Sequence, residues 1–255
     1  MTGTLTVVGL GPGRPELMTP SAAEAIARAT DLVGYGPYLD RIAARPEGQR
    51  RHASDNRVEL DRGRHALELA ADGKHVAVVS GGDPGVFAMA AAVFEAVEMG
   101  PAEWRQLDIR VEPGVTAMLA AAAEVGAPLG GDFCAISLSD NLKSWSTITR
   151  RLQAAARGDF VIALYNPLSR ARPHQLGEAF DILRRTKPAS TVAMMVRAAG
   201  TGEVGRIVTT LGEIDPAHAD MRTLVLIGSS ATRLIMRDGK APWVYTPRRE
   251  MEPTS

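Results

Sequence analysis

VAVVSGGDPGVFAM, residues Val76 to Met89, is the stretch of sequence that decides the fold. Its first four residues are apolar and predict a short buried strand, and the glycines that follow predict a turn. Residues 86–97 then predict a helix. In an open α/β sheet, small ligands bind beyond the carboxyl end of a strand, so this unit is a candidate ligand site. The same residues would also suit an ordinary turn in which Asp83 caps the helix.

The composition narrows the class of protein. A chain of 255 residues with a hydrophobic fraction of 45% can form one large domain or two smaller ones. The formal net charge of 0 and the isoelectric point near 7.0 argue against nucleic-acid binding through bulk charge. Cys134 is the single cysteine, which excludes an internal disulfide and a cysteine-ligated metal cluster. With neither a leader pattern nor an apolar run of roughly 18 residues, we expect a cytoplasmic protein without a membrane partner and without a bound metal.

Two more glycine-containing turns follow predicted strands. Gly9-Leu10-Gly11-Pro12-Gly13 resembles a dinucleotide-binding fingerprint, but Arg14 stands where the third glycine should be, and no Lys-Ser/Thr of a phosphate-binding loop follows. Pro113-Gly114-Val115-Thr116-Ala117 opens an alanine-rich helix. Thr116 can cap that helix, or its hydroxyl can hold a ligand carboxylate at the positive helix end.

The segment from Arg41 to His65 is rich in arginine although the whole chain is neutral. Arginine matches carboxylates well because its planar fork can donate two hydrogen bonds at once. The segment therefore suits a polyanionic small molecule, although a solvated face would have the same composition. In the preceding turn, Tyr35 and Tyr38 either line a pocket or pack on a loop, and the sequence leaves both possibilities open.

Gly126 to Asp132 is rich in glycine and proline and predicts a linker. We therefore expect an N-terminal α/β domain over residues 1–125 and a C-terminal α/β domain over residues 133–240. The polar, proline-containing segment 241–255 is predicted to be a tail. Five strands are expected in the second domain, at residues 134–138, 160–164, 191–196, 206–210 and 223–227.

The turns at Gly9–Gly13, Ser80–Pro84 and Pro113–Ala117, in this order and spacing, resemble the tetrapyrrole (class III) S-adenosylmethionine-dependent methyltransferases. The resemblance implies two α/β domains with a ligand cleft between them, in which the methyl donor S-adenosyl-L-methionine lies and leaves as S-adenosyl-L-homocysteine. It also implies a homodimer. The neutral charge argues against a nucleic-acid partner. The donor-binding residues that it implies are Pro12, Gly81, Gly82, Asp83, Val86, Thr116, Ala117, Tyr165, Ala198 and Thr223.

Within the family, Ser137–Leu142 and Asp159–Pro167 are similar to the members that methylate precorrin-3B at C-17. The implied reaction includes contraction of the macrocycle to precorrin-4, in corrin (cobalamin) biosynthesis. Contraction needs a general base, and the candidates are Asp140, Tyr35 and His52. The candidates for binding the carboxylates of the precorrin are Arg14, Arg51, Arg170 and Arg172. Each of these residues would also suit a structural role.

Other functions fit parts of the same sequence. A sister precorrin methylase would share the fold and the donor but act on another ring carbon. A class III enzyme for ribosomal RNA or protein is disfavoured by the neutral charge. A non-catalytic tetrapyrrole carrier would bind the donor without turnover. Because the chain carries no cysteine-rich segment, we expect a metal-free precorrin rather than a cobalt-bearing one.

Overall fold

The computed structural model describes residues 3–43, 48–55, 58–169 and 171–249. Contacts divide the chain into two units, Met1–Ala117 and Met118–Ser255. Each unit contains a β-sheet with helices, which confirms the prediction of two α/β domains. The ligand cleft predicted between the domains stays a prediction.

The first unit is built on five parallel strands in the order β3-β2-β4-β1-β5. Because all five strands run the same way, their carboxyl ends meet at one edge of the sheet. The elements are β1 (Thr4–Gly9), α1 (Pro20–Arg28), β2 (Asp31–Tyr35), α2 (Gly36–Leu39), β3 (Arg50–Ser54), α3 (Glu59–Ala71), β4 (His75–Ser80), α4 (Met89–Met99) and β5 (Asp108–Glu112).

The central strands of this sheet are buried on both faces, as parallel strands covered by helices require. In β4, Val76 and Val78 pack with α3 and α4, whereas Ala77 and Val79 pack with α1. The helix predicted from residue 86 begins at Met89 instead. Phe87 has a φ of 52° and Ala88 is extended, so a helix cannot include them.

The second unit has a five-stranded mixed sheet in the order β10-β9-β11-β8-β7 and a three-stranded sheet in the order β12-β13-β6. The elements are α5 (Ala117–Val125), β6 (Gly126–Ala127), β7 (Phe133–Ser137), α6 (Trp145–Arg157), β8 (Val161–Tyr165), α7 (Gln175–Arg184), β9 (Val192–Arg197), β10 (Gly205–Thr210), β11 (Thr223–Ile227), β12 (Arg233–Arg237) and β13 (Lys240–Tyr245). The large sheet packs on α6 and α7 around Phe180, which is fully buried.

The contact boundary falls before α5, earlier than the predicted linker at residues 126–132. Helix α5 is tied to the second unit because Glu124 accepts a hydrogen bond from Arg206 Nε at 3.1 Å. The predicted linker also begins with β6, which pairs in parallel with Val244 and Tyr245 of β13. The segment expected to be a tail therefore starts as a strand, and Val244 is fully buried. Within the described ranges, no helix is both long and apolar enough to cross a membrane.

Candidate active site

Three loops meet backbone to backbone at the carboxyl edge of the first sheet. We call residues 9–13, 80–86 and 112–117 the three-loop cluster. Gly11 and Gly82 exchange backbone hydrogen bonds of 3.1 and 2.9 Å, which join the loops after β1 and β4. A side chain on Gly114 would collide with the carbonyl oxygen of Gly82, so the loop after β5 can approach only because position 114 is glycine.

Asp83 ties two of these loops together. Its Oδ1 accepts a hydrogen bond from the backbone N–H of Gly85 at 2.8 Å, and its Oδ2 accepts one from Gly114 at 3.0 Å. The residue does not cap α4, because Ala88 occupies the cap position without a side-chain bond. Each carboxylate oxygen has a second lone pair, so Asp83 can also accept a hydrogen bond from a ligand hydroxyl or ammonium group.

Gly82 lies next to residues that the sequence associated with the donor. Gly82 has a φ of 69°, and a Cβ built on it would lie 3.8 Å from Thr116 Cα and 3.9 Å from the backbone nitrogen of Ala117. Thr116 is buried. The structure thus brings seven predicted residues to this edge, namely Pro12, Gly81, Gly82, Asp83, Val86, Thr116 and Ala117.

The other three predicted donor residues share one edge of the large sheet in the second unit. Strands β8 and β9 are both antiparallel to β11, so the ends of β8 and β9 lie beside the start of β11. This places together Tyr165 at the end of β8, Ala198 after β9 and Thr223 at the start of β11. The Tyr165 hydroxyl accepts a hydrogen bond from the backbone N–H of Met118 at 3.0 Å. The Thr223 hydroxyl donates to Asp220 Oδ1 at 2.8 Å.

Backbone strain marks the same edges. Phe87, Asn166 and Ala198 have φ values of 52°, 51° and 51°. Left-handed conformations in residues other than glycine cost free energy and are concentrated at functional sites. Phe87, Asn166 and Ala198 follow the carboxyl ends of β4, β8 and β9, where the sequence placed site residues. Asp159, with a φ of 53°, lies instead before the amino end of β8.

A network of polar side chains occupies the edge beside Tyr165. Arg172 Nη1 donates to the Asn166 carbonyl at 3.0 Å, and Arg172 Nε lies 3.8 Å from Asp140 Oδ1. Gln175 Nε2 donates to Asp140 Oδ2 at 3.3 Å, and Asn166 Nδ2 donates to Ser137 Oγ at 2.9 Å. We call Ser137, Asp140, Asn166, Arg172 and Gln175 the Asp140 network.

This network includes Arg172, one of the candidates for binding the carboxylates of the precorrin. The side chain is only 11% exposed, and Asp140 of the preceding loop supplies the negative charge. The other arginines predicted to bind carboxylates differ in their surroundings. Arg51 donates to the carbonyls of Leu39 and Ile42 at 3.0 and 2.8 Å, Arg14 is exposed, and Arg170 lies outside the described residues.

His52 is placed away from the three-loop cluster. It pairs with Val33 in the middle of β2, and its Nε2 lies 2.8 Å from Asp31 Oδ1 at the start of that strand. His65 Nε2 lies 3.2 Å from His52 Nδ1. Burial raises the pKa of the Asp31 carboxyl, but hydrogen bonds with His52 and Thr30 outweigh burial and leave that pKa below its ordinary value. His52 therefore belongs to a side-chain cluster within the sheet.

Two residues of the α2 region complete the edge: Arg41, which begins the arginine-rich segment, and Tyr38, for which the sequence left pocket lining and loop packing open. Arg41 Nη2 donates to the carbonyls of the loop after β1, at 3.1 Å to Leu10 and 3.0 Å to Gly11. Tyr38 occupies the space that a side chain on Gly81 would need. Tyr35, a candidate base, packs edge to face on Tyr38 with ring centroids 5.4 Å apart. Only the spacing of Tyr38 and Arg41, one helical turn apart, could have suggested that they act together.

A family model described as Tetrapyrrole (Corrin/Porphyrin) Methylases matches residues 4–215. A precorrin-3B C(17)-methyltransferase from Sinorhizobium sp is 61% identical over 248 residues, covering 97% of each chain. A probable cobalt-factor III C(17)-methyltransferase from Salmonella typhimurium is 40% identical and covers 96% of this chain and 98% of its own. The crystal structure of the methyltransferase CobJ superposes with a TM-score of 0.91 at 56% identity, covering 96% of this chain and all of that one.

The chain belongs to the tetrapyrrole methylases. This assignment confirms the resemblance seen in the glycine turns at Gly9–Gly13, Ser80–Pro84 and Pro113–Ala117. The spare lone pairs of Asp83 and the buried Thr116, which lies next to Gly82, fit a polar ligand such as S-adenosyl-L-methionine. The roles of the individual residues remain predictions.

Proposed function

We propose that this methyltransferase transfers a methyl group from S-adenosyl-L-methionine to C-17 of precorrin-3B and contracts the ring to precorrin-4, in cobalamin biosynthesis. The observation that carries the proposal is the three-loop cluster, which offers a polar cradle at the carboxyl edge of a parallel sheet. The 61% identity to a precorrin-3B C(17)-methyltransferase over nearly the whole of both chains supports the choice of acceptor.

In the first unit, the cluster holds the donor. Gly82 leaves room for close approach, Asp83 accepts a hydrogen bond from an ammonium or hydroxyl group, and Thr116 with the backbone N–H of Ala117 binds a carboxylate. Pro12, Gly81 and Val86 border the site. When bound, the donor supplies a methyl group on a positively charged sulfur. The protein contributes mainly alignment of the two reactants, which can supply about 7–11 kcal/mol.

In the second unit, Tyr165, Ala198 and Thr223 shape the space for the adenosine part of the donor. The Ala198 N–H donates to the Arg222 carbonyl, the Thr223 N–H donates to the Asp220 carbonyl, and the Thr223 hydroxyl donates to Asp220 Oδ1. These two residues therefore border the adenosine by contact rather than by hydrogen bonds. The strained backbone of Ala198 supports a functional role for that position.

Asp140 is our choice for the general base of ring contraction. It follows β7 at the edge that also carries Tyr165, and its oxygens are oriented by Arg172 and Gln175. His52 is disfavoured because it lies within the sheet, and Tyr35 remains the second candidate because it ends β2 at the carboxyl edge. A well-placed base contributes roughly 10²–10⁴-fold to the rate.

The acceptor is proposed to be metal-free, and Arg14 is the best-placed of the predicted arginines to bind its carboxylates because it is exposed beside the first loop of the cluster. Arg170 keeps its proposed role in carboxylate binding on the basis of its sequence position alone. The alternative of a cobalt-bearing acceptor is kept because one relative, 40% identical, is a probable cobalt-factor III C(17)-methyltransferase.

We further propose a homodimer in the cytoplasm. The hairpin of β12 and β13 supports self-association because it exposes Ile235, Met236 and Trp243. Light scattering at micromolar concentration should give a mass near twice 27.1 kDa. A mass near the single chain would contradict the dimer and leave the proposed activity intact.

The activity is tested by incubating the protein with precorrin-3B and donor carrying a ¹³C-labelled methyl group. Mass spectrometry should show one added methyl group in the tetrapyrrole, and NMR should place it on C-17 of a contracted ring. Cobalt-factor III is supplied in a parallel reaction. Label at another ring carbon would favour a sister methylase, and tight donor binding without transfer would favour a carrier.

A further inference from the structure

Tyr38 stands on one flank of the three-loop cluster. It follows β2, which neighbours β4 in the sheet, whereas the loops at 9–13 and 112–117 follow β1 and β5 on the other side of β4. The nearest atoms to a Cβ built on Gly81 are Cζ, Cε1 and Oη of Tyr38, at 2.7 to 2.9 Å. The hydroxyl-bearing edge of the ring therefore faces Gly81, and the glycine is needed to admit it.

The Tyr38 hydroxyl has no hydrogen-bond partner among the residues that the structure describes. The hydroxyl oxygen is also accessible to solvent. Within the described ranges, Gln49 Oε1 is the one side-chain nitrogen or oxygen atom that is both buried and without a hydrogen-bond partner. A half-buried phenol whose hydroxyl reaches solvent beside a ligand-binding loop is available to a ligand. Burial raises the pKa of the phenol, so the hydroxyl keeps its proton and can donate.

The surroundings favour an anionic partner. Arg41 follows α2, and the carbonyls of Leu10, Gly11 and Gly13 hold its guanidinium at the cluster. The positive charges of Arg41 and Arg62 and the negative charge of Glu59 all act on Tyr38, and that of Arg41 acts most strongly. Among the described residues, no carboxylate pairs with Arg41. A carboxylate placed next to the Tyr38 hydroxyl would accept its hydrogen bond and lie in the field of that cation.

We propose that Tyr38 is a specificity-determining residue that donates its hydroxyl hydrogen bond to a peripheral carboxylate of the tetrapyrrole acceptor. The inference rests on the proposed function. Donor-contacting groups are expected on the β4–β1–β5 side of the edge, around Asp83 and Thr116. The β2 side, where Tyr38 lies, remains for the acceptor, whose acetate and propionate groups provide the carboxylates.

The decisive variant is Tyr38→Phe, because it keeps the ring against Gly81 and removes only the hydroxyl. Steady-state kinetics with precorrin-3B should show KM for the precorrin raised about tenfold with kcat little changed. The dissociation constant for S-adenosyl-L-homocysteine and the melting temperature should match those of the unmodified protein. Tyr245→Phe, a phenylalanine exchange in β13 of the second unit, is the matched control and should leave all four quantities unchanged.

The donor also carries a carboxylate, and the two measurements separate the two sources. A Tyr38→Phe protein that loses affinity for S-adenosyl-L-homocysteine, whether alone or together with precorrin affinity, overturns the proposal, because Tyr38 would then serve the donor or the loops. Unchanged precorrin KM also overturns it. Failure of the unmodified protein to convert precorrin-3B would instead refute the proposed function, and this outcome is seen before any variant is made.

Discussion

The two sheet edges that carry the predicted site are held together in different ways. The three-loop cluster of the first unit is closed by backbone contacts, with Gly11 bonded to Gly82 and Gly114 pressed against the Gly82 carbonyl. The corresponding edge of the second unit is closed by long side chains, with Arg172 reaching Asp140 and the Asn166 carbonyl. Glycine contacts leave a signature in the sequence, whereas side-chain networks depend on which loops the fold brings together.

This difference has a physical consequence for mutation. A backbone contact cannot relax around an added side chain, so changes in the three-loop cluster should act on ligand binding and catalysis. A network of side-chain hydrogen bonds can lose one side chain while the remaining bonds still hold the loops together. Changes there should act first on stability and only then on turnover. The predictions below test this contrast in order of decreasing effect.

Gly114→Ala should have the largest effect on activity. The new methyl group collides with the Gly82 carbonyl and displaces the loop after β5, and a misplacement of about 1 Å can cost 10²-fold in rate. We expect kcat/KM for methyl transfer to fall about a hundredfold. Gly177→Ala in α7 is the control, because its Cβ would lie 3.8 Å from the nearest atom. If Gly114→Ala is fully active, the loops do not need this close approach.

Asp83→Ala should weaken donor binding by about 1–3 kcal/mol, because it removes the ligand acceptor and leaves the Gly114 N–H without its partner. Titration calorimetry with S-adenosyl-L-homocysteine measures the loss. Asp61→Ala is the control, since that carboxylate is 71% exposed on α3. Unchanged affinity in a folded Asp83→Ala protein would remove this residue from the donor site.

Arg172→Met should lower the free energy of unfolding by about 1–2 kcal/mol, because it leaves the carbonyls of Asn166 and Leu138 without a donor. Precorrin turnover should fall as well if Asp140 is the base, while donor affinity should hold. Urea unfolding and steady-state kinetics measure the two effects. Arg157→Met at the exposed end of α6 is the control. A loss of precorrin affinity without any loss of stability would restore a direct role in substrate binding.

Asp31→Asn should have the smallest effect, and the effect should depend on pH. The folded-state pKa of Asp31 lies below its ordinary value, so the charged carboxylate contributes stability above the unfolded pKa of about 3.9 and this contribution is lost as the pH falls through the folded pKa. We expect a loss of about 0.5–1.5 kcal/mol at neutral pH that disappears in acid. Urea unfolding should show that the free energies of unfolding of the unmodified protein and the Asp31→Asn protein converge as the pH falls. A constant difference would mean that charge is not the cause.

Much of the fold could be predicted because parallel strands are continuous apolar runs. The strand at Val76–Val79 and the five strands expected in the second domain are all present, with ends displaced by at most a residue or two. The three-stranded sheet was missed. Strand β6 has only two residues, and Lys240–Tyr245 is polar and contains a proline, so neither has a recognisable period.

The candidate site could be predicted most directly at its glycines. A side chain on Gly11 or Gly114 would collide with a neighbouring carbonyl, and Gly82 has a positive φ, so each position favours glycine. The proximity of Arg172 to Asp140 could not be predicted, because the two residues lie in different loops and the sequence does not encode distances between loops. For Tyr38 the sequence left pocket lining and loop packing open, because its contact with Gly81 is made between loops that follow neighbouring strands.

The pairing of β6 with β13 places a constraint on biosynthesis. All five strands of the first sheet have been synthesised once the ribosome passes Glu112, so that sheet can form early. Gly126 and Ala127 cannot pair until Val244 and Tyr245, which come more than a hundred residues later, have been synthesised. Long-range parallel pairing is slow. Until β13 has been synthesised, β6 of the nascent second unit has no partner strand. We expect the chain to depend most on chaperones during this interval.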